Sequence, residues 1–122
     1  MTDRRPDPLP DRFDSIEALE EFMTRPSQAL IDDLAGTPGD ILILGVGGKM
    51  GPTLARMAKR AAPSKRVIGV ARFSEEGVRK ALTAAGVETI AADLLDRAAL
   101  EKLPKAANVV FMAGRKFGAA GN

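Results

Sequence analysis

Residues 40–51 read Asp40-Ile41-Leu42-Ile43-Leu44-Gly45-Val46-Gly47-Gly48-Lys49-Met50-Gly51, an apolar run that opens into a glycine turn. A short apolar run bounded by glycines predicts a buried strand over 40–44. A helix is expected next, over 51–62, with Leu54, Met57 and Ala58 on one face. Gly45, Gly48 and Gly51 fall at GxxGxxG spacing, while GxGxxG fails because Met50 stands where its last glycine belongs. A tight turn after a strand needs positive φ, which glycine tolerates. A phosphate that approaches such a turn is met by free amides at the helix N-terminus. Gly51 is expected to let the helix pack tightly, and Pro52 is tolerated because first-turn amides have no intrahelical acceptor. Glycines also simply make loops. The strand before and the amphipathic helix after favour dinucleotide binding over a plain turn. A phosphate-binding Walker loop is excluded, since Lys49 precedes Met50 rather than Ser or Thr.

Further along, the same alternation repeats. Strands are expected over 66–71, 87–92 and 108–112, with helices over 75–85 and 96–103 between them. Four strands alternating with three helices argue an α/β fold with a parallel sheet covered on both faces. Right-handed crossovers leave few topologies, and we expect a Rossmann-type doubly wound sheet in the order 3-2-1-4. Before it, Pro6, Pro8 and Pro10 predict an extended or disordered arm over 1–12. Ile16, Leu19 and Phe22 recur at helical spacing behind Ser15 as N-cap, and a second short helix is expected over 27–34. The chain thus divides into a helical lead-in over 1–39 and a nucleotide-binding half-domain over 40–122.

The end of the second strand bears on which nucleotide is bound. An acid there would hydrogen-bond the adenosine ribose and repel a 2′-phosphate. This strand ends Val70-Ala71-Arg72-Phe73, so the acid is absent and a guanidinium is present. Arg72 suits a 2′-phosphate, with Ser74 and Lys49 as further donors, and NADP(H) is favoured over NAD(H). The bland alternative makes Arg72 a solvated strand-end residue and Ser74 a helix cap. After the third strand, Ala92-Asp93-Leu94-Leu95-Asp96 offers Asp93 to the adenine amino group and Leu94 to its ring. Asp96 reads better as the cap of the next helix. After the fourth strand, Ala113 and Gly114 are small where ribose approaches closely, and Arg115 and Lys116 face either phosphate or water.

Composition narrows the chemistry. The 122 residues contain no His, Cys, Tyr or Trp, which excludes disulfides, thiolate or imidazole metal sites and any tyrosine acid. Residues 1–40 carry four basic and ten acidic side chains, and residues 41–122 carry fourteen basic and six acidic ones. A basic half suits nucleic acid, an anionic surface or a phosphorylated ligand. Nucleic acid would want stacking aromatics and a dense Lys/Arg run, and both are lacking. No apolar run approaches the roughly 18 residues of a membrane span, and no secretory signal opens the chain, so a cytoplasmic setting is expected.

Together these pieces resemble the short-chain dehydrogenase/reductase superfamily, in its extended or atypical branch of NAD(P)-dependent epimerases and dehydratases. The pieces are Leu44 to Gly51, Val70-Ala71-Arg72, Ala92-Asp93-Leu94 and Asn108 to Gly114, and the resemblance spans 41–118. It implies that Gly45, Gly48 and Gly51 bind the pyrophosphate, and Gly47, Lys49 and Met50 are expected among the cofactor-binding residues. It also implies that Arg72 occupies the adenosine-ribose end and that Asp93 with Leu94 hold the adenine, and Ala71, Ala113 and Gly114 are expected among the cofactor-binding residues. The acidic lead-in lies outside the family's pattern. That family's chemistry uses a Tyr-x-x-x-Lys pair after a fifth strand, and this chain has no tyrosine. The expectation is a truncated, cofactor-binding front half without turnover of its own, or a non-catalytic NAD(P) sensor. An exposed final strand would then offer an edge for self-association.

Overall fold

A computed structural model describes residues 8–114, and the first seven residues of the expected arm lie outside them. At its centre is β1 (Ile41–Leu44), flanked by β2 (Val67–Ala71) and β4 (Asn108–Phe111), with β3 (Glu88–Ala91) beyond β2. All pairings are parallel, with Ile41 opposite both Val67 and Asn108, and Ile68 opposite Glu88. The order is therefore β3-β2-β1-β4, as the alternation predicts. Arg66 closes the foot of the sheet with paired bonds from Nε and Nη2 to Glu88, both 2.9 Å.

Helices cover both faces. On one, α3 (Gly51–Ala61) and α4 (Glu76–Ala84) enclose Ile41, Ile43, Val46, Val67, Leu82 and Val87. On the other, the segment with α5 (Arg97–Glu101) covers Leu42, Ile68, Val70 and Leu103. The change of face follows from right-handed crossovers. From β1 to β3 the chain steps one way, and to reach β4 it returns past β1.

Two expectations about helices need correction. The buried stripe of α3 is Gly51, Ala55, Ala58 and Ala61, and Leu54 and Met57 are only half-buried. Small residues face the sheet because they let helix and strand approach closely, which leaves the larger side chains at the flanks. The final helix is also shorter than 96–103, since Leu103 leaves the helix and turns into the core.

The lead-in forms α1 (Ile16–Met23) and α2 (Gln28–Ala35), capped by Ser15 and Ser27. The apolar residues of α1 stay outside the core, since Ile16 is 70% exposed and no α1 residue is buried. Polar groups dock it instead. Arg60 of α3 donates to the Glu21 carbonyl (2.8 Å), the Thr24 hydroxyl (2.9 Å) and the Glu21 carboxylate (2.9 Å). Arg56 reaches Glu20 at 3.3 Å. Thr24, only 1% exposed, sends its own hydroxyl to the Glu20 carbonyl at 2.8 Å. Arg25 and Arg60 together hold the Glu21 carboxyl down at about 2, from an ordinary 4.5. Part of the charge asymmetry along the chain is thus answered within it.

Val109, Val110 and Phe111 of β4 are exposed among the described residues, Phe111 by 68%. Strands of a parallel sheet are usually covered on both faces. Among the described residues, the cover over β1 and β2 does not extend to β4.

Candidate functional site

The carboxyl ends of the four strands form one rim, and the glycine turn lies on it between β1 and β4. That is where strand order reverses, the place where open α/β sheets hold their ligands. Gly45 turns the chain with φ +88°, and the amides of Gly45 and Val46 both donate to the Val70 carbonyl, at 2.8 and 3.1 Å. Val46 is fully buried, so the turn is anchored from below. A Cβ on Gly45 would overlap the backbone of Ala113, and one on Gly51 the carbonyl of Val46. Each glycine is therefore demanded by a close approach.

Gly48 differs from the expectation. Its φ is not positive, and a Cβ there would meet nothing within 4 Å. The turn needs Gly45 for its geometry, while Gly48 leaves open space above it. Gly47, Lys49 and Met50 are exposed as well, Met50 by 73%. Behind them α3 starts at Gly51 with Met50 as N-cap, no side-chain cap and Pro52 in its first turn. By contrast, α1, α2 and α5 are capped by Ser15, Ser27 and Asp96. An uncapped first turn keeps its dipole and amides directed at solvent, where an anion is stabilised.

On the β2 side, Ala71 is half-buried and Arg72 is exposed. Arg72 makes no ion pair, hydrogen bond or ring contact, alone among the described arginines. Ser74 does not cap α4, because Glu75 holds the N-cap position and makes no side-chain bond there. Across the rim, the Ala92 amide donates to the Ala71 carbonyl at 2.9 Å, so the ends of β2 and β3 stay paired. Asp96 caps α5, accepting from the amides of Ala98 and Ala99 at 3.1 and 3.4 Å. Asp93 is exposed, and its Oδ1 accepts from the Leu95 amide at 2.9 Å. Leu94 packs partly on the core beneath the rim, while Leu95 stands in solvent. Ala113 backs directly onto Gly45, and Gly114 is exposed with open space around it. Arg115 and Lys116 lie outside the described residues.

One feature of the rim carries no signal in the sequence. Phe73 has φ +53°, the sole positive φ outside glycine among the described residues. Its ring packs on the core under α3 and α4, with the Arg79 guanidinium 5.4 Å from its centroid. Nothing in the pattern Arg72-Phe73-Ser74 marks a left-handed residue, because phenylalanine rarely adopts that conformation.

Among the described residues no cluster of three His, Cys, Asp or Glu side chains is placed to hold a metal, and no helix is long and apolar enough to cross a membrane. Comparison with curated proteins and with solved structures gave no significant match. The family model for the NAD dependent epimerase/dehydratase family matches residues 41–121, from the start of β1 across the whole rim. That family works with a nicotinamide dinucleotide, and the sheet order and glycine turn agree with it. The chain belongs to the NAD dependent epimerase/dehydratase family.

Proposed function

We propose that this chain binds NADP(H) in preference to NAD(H), as the cofactor-binding part of an NAD(P)-dependent epimerase/dehydratase or reductase. The observation that carries the preference is Arg72, exposed at the end of β2 and free of any ion pair, hydrogen bond or ring contact among the described residues. The residues fit the group. Gly48 leaves the turn open and no side chain caps α3, while Gly45 and Gly51 permit the close backbone approaches that shape the turn. In this reading Gly45, Gly47, Gly48, Lys49, Met50 and Gly51 hold the pyrophosphate on amides and the helix dipole. Arg72 and Ala71 take the adenosine ribose and its 2′-phosphate, with Lys49 nearby as a second cation. Asp93 and Leu94 receive the adenine, and Ala113 and Gly114 leave room for the ribose on the β4 side.

A bound nicotinamide supplies hydride transfer, and the protein supplies orientation and charge. Moving a hydride at a carbinol carbon also moves a proton at its oxygen, which needs a positioned group of suitable pKa. Tyr and His are absent from these 122 residues, so the reading assigns them cofactor binding and not proton transfer. A setting without disulfides, in the cytoplasm, agrees with the lack of cysteine.

The test is titration of wild-type and Arg72→Ala protein with NADPH and with NADH. A charge-assisted bond contributes about 1.5–3 kcal/mol, so NADPH affinity should fall roughly tenfold or more while NADH affinity holds. An unchanged NADPH:NADH ratio would remove Arg72 as the reader of the phosphate. Failure of the wild-type chain to bind either nucleotide would remove the site.

A further inference from the structure

We propose that Phe73 and Arg79 are positioning residues that hold Arg72 over the adenosine end of the site, so that discrimination between the two nucleotides depends on side chains that touch neither. This rests on the reading of Arg72 given above.

The residues 72–75 link β2 to α4 without regular structure, and a short link of that kind ordinarily samples many backbone conformations. Three observations show that this one is held. Phe73 occupies the left-handed region, at φ +53°, where a bulky residue persists only if its surroundings over-determine it. Its ring is half-buried against the core that α3 and α4 enclose. Arg79, in the first turn of α4, lies over that ring at 5.4 Å. The guanidinium is in turn fixed, because its Nε donates to the Thr89 hydroxyl of β3 at 3.0 Å. Thr89 sits opposite Gly69 of β2, so the clasp runs from the link through α4 and β3 and back to the strand that carries Arg72.

The consequence falls on the neighbouring residue. With Phe73 pinned and β2 paired on both sides, the backbone of Arg72 has its direction set by both flanks. Its own side chain makes no contact that would hold it, so the backbone is what presents the guanidinium to the rim. Release of the ring would free the link and disperse Arg72 over many positions. Loss of preorganisation weakens a contact without removing it, here by roughly three- to tenfold. A group that contributes only general stability would weaken both nucleotides together. A positioning group acts on NADPH alone, because NADH has no 2′-phosphate for Arg72 to meet.

Three variants of the full chain separate these outcomes. Arg79→Met keeps an unbranched side chain of similar length but removes the guanidinium. Thr89→Val removes the acceptor without changing its shape. Phe73→Asn accepts the left-handed backbone without the ring. Affinities for NADPH and NADH are measured by titration, with folding followed by circular dichroism. Arg79→Met and Thr89→Val should lower NADPH affinity with NADH affinity unchanged, and Phe73→Asn should act in the same direction. In an Arg72→Ala background, Arg79→Met should then cost nothing further, because the group it positions is gone. Equal loss of both nucleotides, no change in the ratio, or an additional NADPH loss in the Arg72→Ala background would each overturn the proposal. Those results leave the role of Arg72 standing, whereas an Arg72→Ala protein with the wild-type ratio overturns the reading beneath it.

Discussion

Gly51 and the Val46 carbonyl stand so close that any Cβ on Gly51 would overlap the carbonyl oxygen and carbon. The contact joins the first turn of α3 to the buried residue that anchors the glycine turn. It fixes where the helix N-terminus sits relative to the ends of β1 and β2, and therefore where its amides point.

Gly51→Ala should accordingly destabilise the protein, by about 1–3 kcal/mol through overpacking against backbone that cannot move aside. Thermal unfolding of the variant against wild type checks this. Gly77→Ala is the control, since a Cβ there meets nothing within 4 Å. Equal melting temperatures for wild type and Gly51→Ala would show that α3 can shift without loss.

Gly48→Val should behave in the opposite way. Its φ is not positive and its surroundings are open, so the variant should fold with nearly wild-type stability. The valine would nonetheless occupy the space above the turn that the pyrophosphate needs. Nucleotide affinity should fall by roughly tenfold or more, the scale of one lost hydrogen bond to a charged group. Wild-type affinity in a folded Gly48→Val protein would take this turn out of the site.

The two carboxylates of the β3–α5 link should separate cleanly. Asp96 caps α5 through two amides, so Asp96→Ala should lower stability by about 1 kcal/mol and leave nucleotide affinity intact. Asp93→Ala should weaken both nucleotides equally, because both carry adenine, with a smaller effect on stability. Denaturant unfolding and titration of the two variants together provide the check, and reversal of the pattern would exchange their roles.

Acid should loosen the lead-in. Hydrogen bonds from Arg25 and Arg60 hold the Glu21 carboxyl at about 2, below its ordinary 4.5. A folded value below the unfolded one means a contribution fully present above about 4.5 and lost as pH falls toward 2. The difference in melting temperature between wild type and Glu21→Gln should be largest near neutrality, narrow below pH 4.5 and close near pH 2. Added salt should narrow it too, since the group is exposed. A difference independent of pH would mean that Glu21 acts through packing alone.

Most of the architecture was legible in local patterns. The alternation of short apolar runs with amphipathic stretches implied a parallel sheet, and crossover handedness left few orders, of which the commonest, 3-2-1-4, is the one observed. Caps were readable where one side chain and a nearby amide suffice, at Ser15 and Asp96. The glycine turn was readable for the same reason, since strand, turn and helix are contiguous. Tertiary structure decided what depends on residues far apart in the chain. Only the approach of Ala113 and Val46 showed why Gly45 and Gly51 must lack a side chain while Gly48 is open. Only the position of α3 showed that α1 docks by Glu20, Glu21 and Thr24 rather than by its apolar spacing. The left-handed Phe73 has no local cause either, because the surroundings that hold it come from α4 and β3. Periodicity and capping are set by neighbours along the chain, which a sequence displays. Close approach, ion pairing and imposed backbone strain are set by neighbours in space, which exist only once the sheet and its helices have assembled.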